Sequence, residues 1–148
     1  MVQLDEIDRQ ILEHLSSKGK ISHKELSGLV GLSISPTYER VKRLERSGVI
    51  KKYTIEVDKK ALERSLRALC HVSLKAHNNE AIENFENNII HLDEVTSCFH
   101  IAGAFDYSLL IEVKDMEHYE QFLKDKLSKI PDIANVQSSF VMSELKKE

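Results

Sequence analysis

Positively charged side chains are concentrated in one short segment of the sequence. Between positions 40 and 52 a single acidic residue, Glu45, stands among six basic ones. Lysine and arginine at this density bind anions, and the phosphate backbone of a nucleic acid fits such a surface well. A merely solvated helix face shows the same charges, so the surrounding elements must decide between the two. The basic residues are Arg40, Lys42, Arg43, Arg46, Lys51 and Lys52.

The charge of the whole chain hides this concentration. The net charge of −3 over 148 residues argues against a nucleic-acid partner only when it is taken as one total. Residues 1–60 hold 12 Lys and Arg against 9 Asp and Glu, whereas residues 61–148 hold 9 against 15. This asymmetry is typical of a basic nucleic-acid-binding unit joined to an acidic partner domain. We therefore predict two domains, residues 1–60 and residues 61–148.

A second candidate site is the turn from Gly103 through Ala104 and Asp106 to Tyr107, which contains the only glycine after position 48. Glycine permits a positive φ angle and lets the backbone approach a ligand closely, and the Asp106 carboxylate offers a partner for an ammonium group. A plain hairpin turn also favours glycine and aspartate. On the residues alone, both interpretations stay open.

Metal and catalytic signatures are sparse. Cys98 and His100 are spaced to lie on one side of a strand, but two ligands do not make a zinc site. Cys70 and Cys98 are too few and too far apart for a disulfide framework. The sequence contains no phosphate-binding loop, nucleophile elbow or paired-carboxylate signature. We predict no metal, no cofactor and no catalytic residue, and hence a protein that is not an enzyme.

Membrane and export signals are also absent from the sequence. The longest stretch without a charged residue, positions 26–38, is shorter than the ~20 residues that cross a bilayer. The first six residues show neither the basic start nor the apolar core of a signal peptide. We expect a cytoplasmic protein.

Three short helices are predicted to position the basic segment. Apolar residues at helical spacing indicate a first helix over residues 5–17, which Asp5 caps. A capping box of Ser22 and Glu25 begins a second helix, and Gly31 ends it. The first helix is predicted to pack against the second and third helices and to complete a small apolar core.

The third helix follows after about three residues, and two helices joined in this way around a glycine form a helix-turn-helix. We place Ser35 at its N-cap and Pro36 at its first helical position, and we expect it to end near Ser47. Alternating residues predict a strand over residues 50–57 that leads out of the unit. The first domain is therefore expected to be helix-turn-helix, with a winged-helix-like character.

A projection at 100° per residue gives the third helix a packed side and an exposed side. Thr37 and Val41 fall on the packed side, and the basic residues fall mainly on the other. A basic face on this helix of a helix-turn-helix is the face that enters the major groove of double-stranded DNA. Glu39 could accept a hydrogen bond from the amino group of a cytosine, but we favour its role as a tether for a neighbouring arginine. Arg40 pairs with an acid such as Asp8 as readily as with phosphate. The predicted DNA contacts are Ser35, Thr37, Glu39, Arg40, Lys42, Arg43 and Arg46.

The second half alternates between strand and helix periods in the order βαββαβ. Strands are predicted over residues 66–75, 95–102, 107–113 and 136–145, and helices over residues 81–90 and 116–127. This order is the ferredoxin-like arrangement, an antiparallel sheet with both helices on one face, and the fold class is α+β. We expect Cys98, His100, Ser108 and Leu110 on the uncovered face. Such a semi-apolar face predicts self-association.

Several short runs, in order along nearly the whole chain, point to one family. In the first half they are Leu4-Asp5-Glu6-Ile7-Asp8, Gly31-Leu32-Ser33-Ile34-Ser35-Pro36, Arg40-Val41-Lys42-Arg43-Leu44-Glu45, and Gly48-Val49-Ile50 with Tyr53. In the second half they are the turn from Gly103 to Tyr107, Asp115-Met116, and Ser138-Ser139-Phe140-Val141. Together these runs resemble the Lrp/AsnC ("feast/famine") family of transcriptional regulators.

The resemblance implies a prokaryotic, nucleoid-associated DNA-binding regulator whose second domains pair sheet to sheet as dimers. Such dimers commonly assemble further, often into octamers around which DNA wraps. The resemblance also implies that an amino acid or related metabolite binds between dimers, near the turn and the last strand. The positions that carry over are His100, Gly103, Ala104, Asp106, Tyr107, Met116, Ser138, Ser139 and Phe140.

The resemblance leaves two alternatives and one departure. An architectural DNA-wrapping protein without an effector would share these motifs. Some relatives are sirohaem decarboxylases, although an enzyme of that kind has no need of a basic face on its third helix. The family often has an acid or asparagine after the glycine of the turn, where this sequence has Ala104, so the identity of the effector stays open.

Overall fold

The structure, a computed structural model, describes residues 3–146. The chain divides into two compact units between Glu56 and Val57. We call residues 3–56 the helical unit and residues 57–146 the sheet unit. Within the described residues, every helix is too short or too polar to cross a membrane.

The helical unit contains three helices, α1 (Glu6–Lys18), α2 (His23–Leu29) and α3 (Ile34–Arg46). Asp5 caps α1 as predicted, because its side chain accepts the N–H of Asp8 at 2.8 Å while the Asp8 carboxylate accepts the N–H of Asp5 at 3.2 Å. The turn between α2 and α3 begins at Gly31, whose φ of +69° is one that glycine adopts without steric cost. These features confirm the predicted helix-turn-helix.

The three helices share one apolar core. Burial of such side chains is worth about 1.5–3 kcal/mol each, and that term holds helices that are too short to be stable alone. The buried members of this core are Ile11, Leu26, Val30, Val41 and Leu44.

Two local predictions in the helical unit are wrong. The N-cap of α3 is Ser33 rather than Ser35, and Pro36 is the third residue of the helix, where it is tolerated because the first four N–H groups of a helix have no partner within it. Residues 50–57 form no strand. Their alternating pattern has no neighbouring strand to pair with, and the Ile55 side chain is exposed.

The sheet unit has the predicted βαββαβ order. Its elements are β1 (Leu66–Leu74), α4 (Asn79–Ile89), β2 (Val95–His100), β3 (Tyr107–Val113), α5 (Met116–Asp125), a 3₁₀ turn (Leu127–Lys129) and β4 (Ile133–Phe140). The strands lie in the order β2-β3-β1-β4, with every neighbouring pair antiparallel. This is the ferredoxin-like topology. The last strand begins and ends earlier than the predicted span of residues 136–145.

Both helices pack on the same face of the sheet. Phe85 of α4 and Phe122 of α5 are buried against alternate residues of the two central strands, including Cys70 and Leu109. The intervening residues of those strands point to the other face, where Leu69 is 40% exposed. That second face, here called the open face, has no helix over it within the sheet unit.

The predicted β2 residues of the open face are wrong, because Cys98 and His100 lie opposite the buried Leu109 and Tyr107 and therefore share the face that the helices cover. Cys98 lies opposite the fully buried Leu109, so it faces the helices, and its thiol pKa is raised by that burial. Phe99 lies opposite Ser108, which places Phe99 rather than Cys98 on the open face. Paired residues share a face and the side-chain period is two, so a shift of one residue exchanges the faces.

Candidate nucleic-acid interface and ligand site

The exposed side of α3 presents most of the predicted basic residues. Arg43 and Arg46 are exposed, and the Arg46 side chain is the more open of the two. Ser35 and Glu39 are exposed nearer the start of the helix, and Lys42 is half-buried. The structure therefore brings these five residues together on one surface.

Thr37 does not belong to that surface, and its prediction as a DNA contact is wrong. Its side chain is fully buried, and its Oγ1 donates a hydrogen bond to the carbonyl oxygen of Ser33 at 3.0 Å. A buried hydroxyl that is already bonded within its own helix has no route to a ligand outside.

Arg40 pairs with acids of α1, which confirms the structural alternative for this residue. Its Nη1 donates to Asp5 Oδ2 at 2.6 Å and to Asp8 Oδ1 at 2.9 Å. The Arg40 guanidinium holds the pKa of Asp5 below its ordinary value. Arg40 therefore ties α3 to α1, and nothing in this geometry aims it at phosphate.

Arg43 has the same buried partner, which the sequence did not reveal. Its Nη2 donates to Asp8 Oδ2 in a short ion pair, although the two residues are 35 positions apart. Helical spacing correctly placed Arg43 on the exposed side of α3. It gave no information about which side chain of α1 lies beside it.

The other basic residues of α3 also have acidic neighbours. Lys42 Nζ donates to Glu45 Oε2 at 2.9 Å and lowers the pKa of that carboxyl. The hydroxyl of Tyr53 donates to Glu45 Oε1, also at 2.9 Å. Burial and the Glu45 carboxylate raise the pKa of Tyr53 to about 12. Arg46 lies 3.9 Å from Glu39, which confirms the tether predicted for Glu39, but a pair this exposed contributes little energy.

The turn from Gly103 to Tyr107 is held to the end of β1 by Asp106. Its Oδ2 accepts the backbone N–H of Leu74 at 2.7 Å, and its Oδ1 lies 2.9 Å from Nε2 of His77. The Leu74 N–H and then His77 lower the pKa of Asp106, so it is a carboxylate at neutral pH. Gly103 has a φ of +156°, which side chains rarely allow.

An aromatic pair, His100 and Tyr107, flanks this turn. The His100 ring stacks on Tyr107 with 4.6 Å between centroids, and the buried Tyr107 donates its hydroxyl to Glu86 at 2.9 Å. Burial is the main cause that raises the pKa of Tyr107. Glu86 also lies 3.9 Å from His100, so it joins the two rings.

Met116, Ser138 and Phe140 of the remaining predicted ligand residues form a second group, on α5 and β4. Tyr119 connects them. Its hydroxyl donates to Ser138 Oγ at 2.5 Å, and its ring packs edge-to-face with that of Phe140, with 5.1 Å between the ring centroids. Met116 begins α5 nearby and is exposed. Ser139 points to the open face instead, because it lies opposite Leu69.

Within one chain the two groups do not meet. Phe140 lies opposite Ala68, six residues of strand from Leu74, but the nearest members are closer, because Tyr107 lies opposite Val72 and Ser138 opposite Cys70, on the two sides of β1. His77, Glu86 and Tyr119 belong to the two groups but carried no sequence signal, since each lies far along the chain from its partner. Among the described residues, no three His, Cys, Asp or Glu side chains are arranged to hold a metal ion.

A helix-turn-helix with a basic exposed helix, followed by a ferredoxin-like unit, defines a class of two-domain DNA-binding regulators. Two family models match the chain in that order. Residues 4–51 match a model described as winged helix-turn-helix DNA-binding, and residues 67–148 match the Lrp/AsnC ligand binding domain. The chain belongs to the Lrp/AsnC family of transcriptional regulators.

Individual relatives agree with this assignment over almost their full length. The chain is 40% identical to the transcriptional regulator AzlB of Bacillus subtilis, covering 99% of the chain and 93% of that protein. It is 38% identical to the leucine-responsive regulatory protein of Escherichia coli K12, covering 97% and 88%. Among solved structures, the L-Met complex of the regulator NMB0573 from Neisseria meningitidis superposes with a TM-score of 0.94 at 34% identity, covering 98% and 94%.

Proposed function

We propose that the chain binds double-stranded DNA through the exposed side of α3, in the cytoplasm and in association with the nucleoid. The observation that carries this proposal is the placement of Lys42, Arg43 and Arg46 on one surface of the second helix of a helix-turn-helix. In this motif that helix lies in the major groove. We propose that Ser35, in the first turn of α3, contacts a phosphate, because the helix N-terminus attracts anions.

The expected DNA target is a pair of half-sites. A two-fold dimer presents two α3 helices, and these reach successive major grooves when their centres are about 34–36 Å apart or a multiple of that. We propose that the open face forms this dimer, because Phe99 and Leu69 leave apolar surface there that a second copy covers. Further assembly of dimers, up to octamers, follows the resemblance to the family.

Replacing Arg46 with alanine is expected to weaken DNA binding by roughly tenfold or more. Each phosphate contact releases about one counterion from DNA. Losing one contact per subunit should therefore flatten the slope of the logarithm of the binding constant against the logarithm of salt concentration by about 0.9 per subunit. Fluorescence anisotropy of a labelled duplex at several salt concentrations measures both quantities. The matched control is Lys124→Ala, which removes one exposed positive charge from α5. An affinity and slope equal to those of the control would reject α3 as the DNA surface.

We further propose an amino-acid effector that binds at the turn and requires a second copy of the chain. The solved relative with L-Met bound supports the ligand class. Asp106 supports the position, because it is a carboxylate beside a glycine turn and attracts the ammonium group of an amino acid. The requirement for a second copy follows the resemblance to the family.

A thermal-shift screen of the twenty amino acids tests the effector. A true ligand at 100 times its Kd adds about 2.7 kcal/mol to the free energy of unfolding. Asp106→Asn keeps an oxygen for the Leu74 N–H but loses the charge, so it should abolish the shift. The control Asp93→Asn changes an exposed acid and should retain it. No shift with any amino acid would favour an architectural protein that wraps DNA without an effector.

A further inference from the structure

The carboxylate of Asp8 is the most deeply buried charge in the helical unit. Its side chain has no exposed surface, yet it sits within the first turn of α1 rather than in the middle of the core. Arg40, Arg43 and the N–H of Asp5 all donate to it. The positive end of the α1 dipole adds to this stabilisation of the negative charge.

The two arginines held by Asp8 differ in what they leave free. The Arg40 side chain is about three-quarters buried and uses Nη1 for both of its acidic partners. The Arg43 side chain is 50% exposed and meets Asp8 through Nη2, so its contact with Asp8 does not use Nη1. Arg43 also borders a concave patch on α3 together with Pro36, Glu39 and Arg46.

Resting on the proposed DNA binding, we propose that Asp8 is a positioning residue that orients Arg43 to recognise a base edge, with guanine as the expected base. Guanine presents two acceptors, O6 and N7, that match two N–H groups of one guanidinium. An arginine with one terminal nitrogen already fixed loses less side-chain entropy when it makes this contact. Discrimination between bases depends on such fixed direction, whereas attraction to phosphate depends mainly on charge.

The surroundings of Arg46 supply the contrast. Its side chain is 74% exposed, and its nearest acid, Glu39, is 3.9 Å away and itself exposed. A flexible charge of this kind follows the phosphate backbone without selecting a sequence. The two arginines are therefore assigned different roles although they lie on the same face of one helix.

The main experiment compares Arg43→Lys with the wild-type chain. Sequences that the wild-type chain binds are first selected from random duplexes, and affinities for a selected duplex and a scrambled one give a specificity ratio. Lysine keeps the charge but lacks the paired N–H donors of a guanidinium. The specificity ratio should therefore fall at least tenfold, while the salt dependence of DNA binding stays unchanged. Arg9→Lys, an exposed position of α1, is the control for the substitution and should keep the ratio.

Each outcome of this comparison has a definite meaning. A ratio for Arg43→Lys within twofold of wild type would overturn the assignment of Arg43 as a base reader and leave DNA binding by α3 intact. If the wild-type chain selects no sequence at all, sequence-dependent binding fails, and this inference fails with it.

Asp8→Asn tests the positioning role separately. Asparagine keeps one acceptor oxygen but removes the charge that fixes both arginines. The specificity ratio should fall at least tenfold, while binding to scrambled DNA stays equal or strengthens because the negative charge that pairs with Arg40 and Arg43 is lost. A purely structural role would lower both affinities together, in step with the loss of folded protein measured by circular dichroism, and that result would overturn the proposal. Should this variant fail to fold, Arg43→Lys still decides the role of Arg43.

Discussion

Replacing Asp8 with alanine is expected to lower the free energy of unfolding by about 3 kcal/mol. The substitution removes a capping group of α1, worth about 1 kcal/mol, and charged hydrogen bonds worth about 1.5–3 kcal/mol each. It also leaves Arg40 and Arg43 without their shared partner. Both arginines retain access to water, which keeps the loss below the sum of these contributions.

Urea unfolding followed by circular dichroism measures this loss. The control Glu13→Ala removes an exposed acid from the same helix and should change the free energy of unfolding by less than about 0.5 kcal/mol. A loss below about 1 kcal/mol for Asp8→Ala would show that the ion pairs around Asp8 do not hold α1 to α3.

Replacing Phe99 with glutamate is expected to dissociate the proposed dimer. Phe99 is 59% exposed in the single chain and lies on the open face opposite Ser108. A face-to-face dimer buries this position in each copy, so the variant places two unpaired carboxylates in the interface. Each unpaired buried charge costs several kcal/mol, and every 1.4 kcal/mol is tenfold in the dissociation constant. We expect the constant to rise at least a hundredfold.

Light scattering coupled to size-exclusion chromatography, at several protein concentrations, measures this change. The matched control is Ile90→Glu, which puts the same charge at an exposed apolar position just after α4. That variant should retain the wild-type mass. A wild-type mass for Phe99→Glu would exclude the open face as the interface.

The fold was largely predictable because its signals are local. Alternation of strand and helix periods gave βαββαβ, and hydrophobic spacing with capping residues gave the three helices of the helical unit. The face of the sheet on which Cys98 lies could not be predicted from local signals. Only its pairing with the buried Leu109 reveals which face it occupies, and pairing is not written in the β2 sequence.

The DNA surface was predictable to the level of a helix face. The period of α3 placed Arg43 and Arg46 correctly, but the buried partner of Arg43 comes from α1 and appears only after the helices pack. The N-cap of α3 was assigned to Ser35 instead of Ser33, because both serines lie near the start of the helix and the sequence does not show which of them precedes it. The segment over residues 50–57 has a strand pattern but no strand beside it.

The ligand site was the least predictable part. Its residues came from motifs, and motifs give positions along the chain without the distance between them. The structure places the turn around Asp106 at the end of β1, whereas Ser138 and Phe140 of the group around Tyr119 lie opposite Cys70 and Ala68 on the other side of that strand. His77 and Glu86 enter the site through contacts that span 29 and 21 positions.

Two copies of the chain are proposed to read DNA with their α3 helices. Selection from random duplexes tests this proposal most directly, because the enriched sequences report both base preference and spacing. We expect two copies of one half-site with centres about 10–10.5 base pairs apart, or a multiple of that distance. Enrichment of no sequence, or of one half-site without a second at fixed spacing, would contradict it.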